Sequence, residues 1–186
     1  MTGPTPRDTV APARTESRPA LRIPVVSGVG TGPTELAAFD AALVAAGIAD
    51  RNLIRLSSVI PPGTVIERPA DGIEVPGEWG DRLYVVIAES RTSQLHDRLA
   101  AGIGWVQEAT TGRGLFVEHE GHSRDEVETH IHDSLHALMR VRDIDFGASQ
   151  MLLADTVCNG PAACVLVAAV VEAAPWTGRA PDVIEL

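Results

Sequence analysis

Apolar and polar residues alternate along the chain in a pattern that predicts a mixture of strands and helices. Strand-like runs occupy 21–28, 52–58, 82–89, 114–120, 150–157 and 163–171. Apolar residues at helical spacing predict helices over 34–46 and from residue 123 onward, and a further helix is predicted over 93–102. The crossovers are too few and too short for a doubly wound sheet, so we predict an α+β sandwich.

Two stretches lack this periodicity. Residues 1–21 are rich in Pro, Thr, Arg and Ala and are predicted to form a disordered tail, which leaves 22–186 as one domain. Residues 64–80 are predicted to be a loop because of their Pro and Gly content. The segment GVGTGP at 28–33 is predicted to be a tight turn that lets the backbone approach something closely. It lacks the Lys-Ser/Thr pair of a P-loop, and Pro33 stands where a dinucleotide fingerprint has its third glycine.

The first predicted helix has an apolar stripe that includes one carboxylate. Leu36, Phe39, Leu43 and Val44 lie at helical spacing, and Asp40 falls inside the same stripe. A carboxylate that faces a core is costly unless a partner compensates it. Asp40 therefore either pairs with a local arginine or an interfacial donor, or it belongs to a pocket that binds a cation.

The second predicted helix opens with a capping box, Ser123-Arg124-Asp125-Glu126. Its apolar stripe is Val127, Ile131, Leu135 and Leu138. His132 and His136 are four residues apart on a different face, and the chain has no H-E-x-x-H motif, so a solvated face is favoured over a metal site. Cys158 and Cys164 lie in an apolar region and are expected to be buried, inert thiols.

Composition narrows the classes of function. The chain has 186 residues with 15 basic and 25 acidic side chains, a formal net charge of −10 at pH 7. This charge argues against nucleic acid or an anionic membrane as the main partner and leaves room for a cationic ligand. Two cysteines cannot form a disulfide framework, and no run of the sequence reads as a membrane span or a secretory signal. A cytoplasmic location is therefore predicted.

Two further features could take part in chemistry. Ser57 and Ser58 follow a predicted strand and precede Val-Ile-Pro-Pro-Gly, although a serine pair taken alone is an ordinary polar strand end. No G-x-S-x-G elbow surrounds them, but a Ser-His-Asp hydrolase stays open because such triads are defined by geometry. Glu118 follows Phe116 on a predicted strand and is either a proton donor or a solvated rim residue.

Four segments at their spacings form a specific combination. They are AFDAAL at 38–43, NLIRLSS at 52–58 with Pro61-Pro62 after it, GLFVEHEG at 114–121, and the apolar run CVLVAA at 164–169. On this combination, residues 22–172 resemble the pyruvoyl-dependent arginine decarboxylases. That family has an αββα-type sandwich fold in which three protomers associate with active sites between neighbours, so the resemblance implies a homotrimer, with paired trimers as an alternative assembly.

The resemblance also implies a self-processing enzyme. The hydroxyl of Ser58 would attack the carbonyl carbon of Ser57, and elimination and hydrolysis would leave a pyruvoyl group at position 58 and release ammonia. This group, with no metal and no pyridoxal phosphate, would form a Schiff base with L-arginine, which would lose CO₂ to give agmatine. Glu118 matches the residue that protonates the substrate carbon, and Asp40 matches the residue that meets the guanidinium. Asn52 matches a position implicated in processing or in the active site.

Three other interpretations remain open from the sequence. The first is a decarboxylase of another cationic amino acid. The second is a non-processed trimer that binds a cationic small molecule, and the third is an assembly subunit whose pocket has lost its function. Absence of cleavage between Ser57 and Ser58 would indicate the second, and an Asp40→Asn substitution that changes no assay would indicate the third.

Overall fold

The computed structural model describes residues 20–70 and 72–176, so most of the predicted tail, residues 1–19, lies outside the described part. The described residues contain two helices and nine strands. Their bounds are β1 Leu21–Gly32, α1 Glu35–Ala45, β2 Asn52–Arg55, β3 Val59–Ile60, β4 Thr64–Glu67, β5 Arg82–Thr92, β6 Arg98–Gln107, β7 Gly114–Gly121, α2 Arg124–Arg140, β8 Gln150–Val157 and β9 Ala162–Ala174.

The strands form two sheets that stack on each other between the two helices. The five-stranded sheet has the order β2-β5-β9-β1-β4, and the four-stranded sheet has the order β3-β7-β6-β8. Neighbouring strands are antiparallel except for the pairs β1–β4 and β2–β5. Helix α1 packs on the outer face of the five-stranded sheet and α2 on the outer face of the four-stranded sheet. The layers therefore run helix, sheet, sheet, helix, which agrees with the α+β sandwich predicted from the pattern and with the layering that the family resemblance implies.

Strand β9 contributes to two of the three cores because both of its faces are covered. Val165 and Val167 belong to the core between the sheets, whereas Cys164 and Leu166 belong to the core under α1. This two-sided burial explains why its sequence reads as one continuous apolar run rather than an alternating one. Burial also raises the pKa of the Cys164 thiol to about 11, and both free cysteines are buried as predicted.

The predicted glycine turn is wrong, because GVGTG belongs to strand β1. Its glycines face α1, and the close approach that the sequence indicated is between this strand and the helix. A Cβ atom on Gly28 would lie 2.0 Å from the carbonyl oxygen of Ala42, and one on Gly30 would lie 2.2 Å from that of Ala38. Glycine is therefore needed here for the contact between two backbones rather than for a turn.

This close contact also shifts the buried face of α1 away from the predicted stripe, of which Phe39 and Leu43 still pack against the core under α1. The helix buries its small residues Ala38 and Ala42 against the glycines, together with Leu43. Leu36 and Val44, predicted to be in the core stripe, are 70% and 61% exposed. Asp40 lies four residues from each of them and is exposed as well. The prediction that Asp40 faces the core is therefore wrong.

Two other predictions of secondary structure are corrected. Residues 93–102 do not form a helix, since β6 begins at Arg98 and alternates Leu99, Ala101 and Ile103 toward the core between the sheets. Its Gly104 faces α2, where an added Cβ would lie 2.2 Å from Ile131. The predicted loop 64–80 begins with a strand, β4, which pairs with β1.

Helix α2 follows its prediction. The Ser123 side chain accepts a hydrogen bond from the backbone N–H of Glu126, and Val127, Ile131 and Leu135 are buried. Within residues 20–70 and 72–176 no group of side chains has the arrangement of a metal site, and neither helix is long and apolar enough to cross a membrane.

Candidate active site

The chain passes from one sheet to the other at residues 56–58. Strand β2 ends at Arg55 in the five-stranded sheet, earlier than predicted, and β3 begins at Val59 in the four-stranded sheet. On one side of the step the N–H of Leu56 donates to the carbonyl of Val85 over 2.9 Å. On the other side the carbonyl of Ser58 accepts from the N–H of Phe116 over 2.8 Å. The peptide between Ser57 and Ser58 is thus fixed at both ends by different sheets.

Charged side chains strengthen the first of these anchors. The guanidinium of Arg55 lies 3.2 Å from a carboxylate oxygen of Glu89 on the neighbouring strand β5. The same oxygen also accepts a hydrogen bond from Arg91, whose guanidinium lies 3.9 Å from the ring centre of Phe39. The end of β2 is therefore tied to β5 and α1 just before the serine pair.

The backbone of Ser58 is in an unusual conformation. Its φ of 58° lies in the left-handed region, where a residue with a side chain costs about 1–3 kcal/mol relative to its common conformations. Such strain persists only where the surrounding structure imposes it, and here the two sheets impose it from both sides. Strain of this kind is common at functional sites, which makes Ser58 a candidate on structural grounds alone.

Glu118 lies next to Ser58 because β3 is short. β3 pairs only with Gly114 and Leu115 of β7, so the edge of β7 is uncovered further along the strand. The half-buried Ser58 hydroxyl donates to the Glu118 carboxylate, and its Oγ lies 2.9 Å from Oε1 and 2.8 Å from Oε2. Hydrogen bonds from a hydroxyl to a carboxylate are among the strong ones. The arrangement places a proton acceptor directly on the serine oxygen.

Both residues line an open cavity of about 360 Å³ at the uncovered edge of β7. It is lined by Ser58, Phe116, Val117, Glu118, His119, Ser134, Ala137 and Leu138. Most of the wall is apolar, and a ligand of amino-acid size fits such a volume at the lower end of the usual range for binding pockets. The polar groups are concentrated at Ser58–Glu118 and at the pair His119–Ser134.

His119 and Ser134 were not identified from the sequence. Nε2 of His119 lies 2.8 Å from Oγ of Ser134, and its ring centre lies 5.6 Å from that of His130. Burial and the proximity of His130 hold the pKa of His119 below its ordinary value. The only sequence signal was the position of His119 beside Glu118, and it does not reveal which residue of α2 lies opposite.

The structure does not bring Asp40 or Asn52 to this cavity within one protomer. Asp40 lies on α1, the helix that packs on the five-stranded sheet. Asn52 begins β2, and its side-chain amide donates to the carbonyl of Gly80, which also accepts from the indole N–H of Trp176. Among the predicted site residues that are distant in sequence, Ser58 and Glu118 are therefore the two that the fold of one chain brings into contact.

Comparison with known proteins decides the family. A sequence model described as pyruvoyl-dependent arginine decarboxylase (PvlArgDC) matches residues 22–174. The chain belongs to the pyruvoyl-dependent arginine decarboxylase family. The resemblance inferred from the four sequence segments, and the class of enzyme it implied, are confirmed.

Curated members of this decarboxylase family match this chain over different lengths. The pyruvoyl-dependent arginine decarboxylase of Halobacterium salinarum is 35% identical over 158 residues, which cover 83% of this chain and 96% of that protein. The one from Methanothermobacter thermautotrophicus is 30% identical over 128 residues, 67% of this chain and 80% of that protein. The one from Methanopyrus kandleri is 63% identical over 38 residues, 20% of this chain and 25% of that protein.

Proposed function

We propose that this protein cleaves itself between Ser57 and Ser58 and then converts L-arginine to agmatine and CO₂. The observation that carries the proposal is the contact of the Ser58 hydroxyl with the Glu118 carboxylate, at the mouth of a cavity, in a chain of this family. The serine is at the position where the family resemblance requires the nucleophile, and the carboxylate can take its proton.

The cleavage reaction uses groups of the chain itself. Glu118 accepts the hydroxyl proton as Oγ of Ser58 attacks the carbonyl carbon of Ser57, and the proton passes to the departing nitrogen of Ser58. The peptide bond is thereby replaced by an ester. Loss of the Cα proton of Ser58 then breaks the ester C–O bond and releases residue 57 as a carboxylate. Addition of water to the remaining dehydroalanine releases ammonia. The strained φ of Ser58 favours the first step because cleavage relieves it.

The residues around position 58 fit the pyruvoyl group that the family uses. Ser58 lines a cavity with apolar walls, and a carboxyl group stands beside it. When present, the pyruvoyl group supplies an electrophilic carbonyl that accepts the electrons released with CO₂. Glu118 holds a proton where it can be given to the substrate carbon, and Phe116 and Leu138 line the apolar part of the wall.

Asp40 enters this proposal through assembly. Asp40 shares an exposed face of α1 with Leu36 and Val44, and large exposed apolar residues side by side are typical of interaction surfaces. We propose that this face meets a neighbouring protomer in a trimer, where Asp40 binds the guanidinium of a substrate whose other end is at the neighbour's Ser58. A carboxylate and a guanidinium can form two parallel hydrogen bonds, which favours arginine over lysine.

The first experiment is the intact mass of the purified, denatured protein. We expect two chains that correspond to residues 1–57 and 58–186, the longer one lighter by one ammonia than a chain that begins with serine. Ser58→Ala is the control and should give one full-length mass. A single full-length mass for the natural sequence after prolonged incubation would contradict the proposal and favour a non-processed binding protein.

A substrate panel tests the second half of the proposal. Processed protein is incubated with arginine, lysine and ornithine, and the amine products are measured. We expect agmatine from arginine at a rate well above either of the other two. Preference for lysine or ornithine would keep the processing chemistry but assign the enzyme to another cationic amino acid.

A further inference from the structure

The carbonyl oxygen of Ser58 is held by one hydrogen bond where an antiparallel hydrogen-bonded pair would have two. Val59 pairs with Leu115, so Ser58 stands opposite Phe116, and the N–H of Phe116 donates to the Ser58 carbonyl over 2.8 Å. The reciprocal bond, from the N–H of Ser58 to the carbonyl of Phe116, is not formed in the described part of the chain. The φ of 58° turns that N–H out of the direction it has in an extended strand. The carbonyl is therefore fixed, whereas the nitrogen that departs in the proposed cleavage is not held by this strand.

This carbonyl takes part in the second step of the proposed cleavage. Once the ester has formed, the proton on Cα of Ser58 is lost and the bond between Cβ and Oγ breaks. The electron pair that the proton leaves on Cα is adjacent to the carbonyl carbon of the same residue and spreads onto its oxygen. A hydrogen-bond donor that is already aimed at an oxygen where negative charge develops stabilises the transition state. The donor that the structure places on this oxygen is the N–H of Phe116.

Glu118 is suited to receive the Cα proton. Its carboxylate oxygens lie 2.9 and 2.8 Å from Oγ of Ser58, and Cα is two bonds away from Oγ. In the first step the carboxylate accepts the hydroxyl proton and passes it to the departing nitrogen, so it is unprotonated again when the ester is complete. The proton acceptor and the donor to the carbonyl thus lie two residues apart on one strand, β7.

The donor is rigid because Phe116 is fixed by the core and by the sheet. Its side chain is 2% exposed in the core between the sheets, and its ring meets that of Trp105 edge to face with the centres 6.4 Å apart. The N–H and the C=O of one residue in an antiparallel strand point to the same side. The N–H that is directed at Ser58 is therefore not used in the pairing of β7 with β6. A donor that is already in place needs no reorganisation during the reaction.

We propose that the backbone N–H of Phe116 is a catalytic group of self-cleavage, which stabilises the negative charge on the carbonyl oxygen of residue 58 while the Cα proton is lost. The proton goes to the carboxylate of Glu118, the electron pair forms the double bond between Cα and Cβ, and Oγ leaves as part of the carboxylate of Ser57. This inference rests on the proposed function, because it requires the chain to cleave itself. It assigns a group to the elimination, whereas the contact between Ser58 and Glu118 explains the formation of the ester.

The backbone N–H can be deleted without a change to the side chain. Phe116→phenyllactate, made by cell-free synthesis with the α-hydroxy acid analogue of phenylalanine, replaces the N–H by an ester oxygen and keeps the ring. We expect loss of the Cα proton to be about 100-fold slower, the lower end of the effect of one oxyanion-hole donor, so that the ester between residues 57 and 58 accumulates. Phe146→phenyllactate is the matched control, because the N–H of Phe146 donates to the carbonyl of Ile144. It should be processed at the natural rate without accumulation of the ester.

Hydroxylamine and intact mass identify the stage that each sample has reached. The reagent cuts the ester and gives residues 1–57 as a hydroxamate, together with a chain 58–186 that begins with an ordinary serine. Completed processing instead gives a chain 58–186 that is lighter by one ammonia. Reaction at the introduced backbone ester gives fragments that begin at residue 116 or 146, which their masses distinguish. We expect the serine-started chain from Phe116→phenyllactate early in the time course and only traces of it from the control.

Deuterium at Cα of serine gives a second measurement, which does not depend on trapping the ester. If loss of the Cα proton limits the rate in Phe116→phenyllactate, deuterated serine should slow the release of residues 1–57 more in this variant than in Phe146→phenyllactate. A role of the Phe116 N–H in strand pairing alone would not change this isotope effect.

The results distinguish this inference from the proposed function. If Phe116→phenyllactate is processed as fast as the control, stops before the ester forms, or shows the same isotope effect as the control, its N–H is not the donor for the elimination. The proposed function then stands, because the natural protein still cleaves itself. If the natural protein forms neither the ester nor the shortened chains, both the proposed function and this inference are contradicted.

Discussion

Replacement of Glu118 by glutamine removes the proton acceptor from Ser58 while it preserves the size of the side chain. In the natural protein both carboxylate oxygens are within 2.9 Å of the serine Oγ. The amide of Glu118→Gln offers one acceptor oxygen, and its NH₂ group would donate to Oγ rather than accept from it. The serine keeps a hydrogen-bonding neighbour but loses its base.

The size of the effect follows from the role of the carboxylate. A positioned general base accelerates a reaction by about 10²–10⁴-fold, which corresponds to roughly 3–5 kcal/mol of activation free energy. We therefore expect self-cleavage of Glu118→Gln to be at least about 100-fold slower than that of the natural protein. The free energy of unfolding should change by less than about 1 kcal/mol, because the side chain is half-buried and its hydrogen bond is replaced.

The assay follows the uncleaved chain over time by gel and intact mass, starting from protein freshly refolded from denaturant. Glu120→Gln is the matched control: the same chemical change, on the same strand, at an exposed residue that does not line the cavity. It should be processed at the natural rate. If Glu118→Gln is cleaved as fast as Glu120→Gln, Glu118 is not the base, and the contact with Ser58 is structural only.

Two further predictions concern stability. Gly30→Ala places a Cβ 2.2 Å from the carbonyl oxygen of Ala38, an overpacking that should cost about 3 kcal/mol and lower Tm by about 6–12 °C. Gly160→Ala, with no atom within 4 Å of the added Cβ, should leave Tm unchanged at the same protein concentration; equal Tm values for both variants would contradict the packing argument. The lowered pKa of His119 favours the neutral ring in the folded state. The contribution of His119 to stability is therefore complete above its pKa in the unfolded state, about 6.5. That contribution is lost as the pH falls through the lowered pKa of the folded state. The stability difference between the natural protein and His119→Gln, measured by urea unfolding, should therefore shrink or reverse from pH 7.5 to 5, and a difference independent of pH would refute this assignment.

The sequence predicted α2 well because its signals are local. A capping box and a stripe of large apolar residues are sufficient for a helix on a sheet surface. The prediction for α1 was partly wrong because the glycines of β1 let the helix approach so closely that its alanines form the contact with this strand. The larger Leu36 and Val44 are then turned outward. The pattern of alternate glycines on one strand and of alanines four residues apart on the helix is visible in the sequence, but only their pairing in space gives it meaning.

The predicted helix over 93–102 failed for a related reason. Ala and Gly occupy the face of β6 that meets α2, so the alternation of large and small residues does not appear as an alternation of apolar and polar ones. Prediction from pattern assumes that the outer face of a strand is polar, which does not hold for a strand covered on both sides.

The candidate active site is indicated by the family resemblance and not by the pattern of the sequence. Ser58 and Glu118 are 60 residues apart, and they meet because β3 begins only at Val59, opposite Leu115, which leaves the edge of β7 at Glu118 uncovered. A strand of two residues is too short to show the alternation of apolar and polar residues that predicts a strand. The pair His119–Ser134 is equally invisible, since the register between α2 and β7 depends on packing rather than on local sequence.

The chain passes from one sheet to the other at residues 56–58, so a cut there interrupts no strand of either sheet. β1 precedes the cut, yet it pairs with β9 over the eight residues from Val25 to Gly32 and lies between β9 and β4. Two separately expressed fragments would possess every strand pairing needed to assemble this architecture. On the proposed mechanism they would lack the peptide bond whose carbonyl Ser58 attacks, so the assembled protein would have the fold and no ketone. The proposed chemistry, rather than folding, is then what requires one continuous chain across this point.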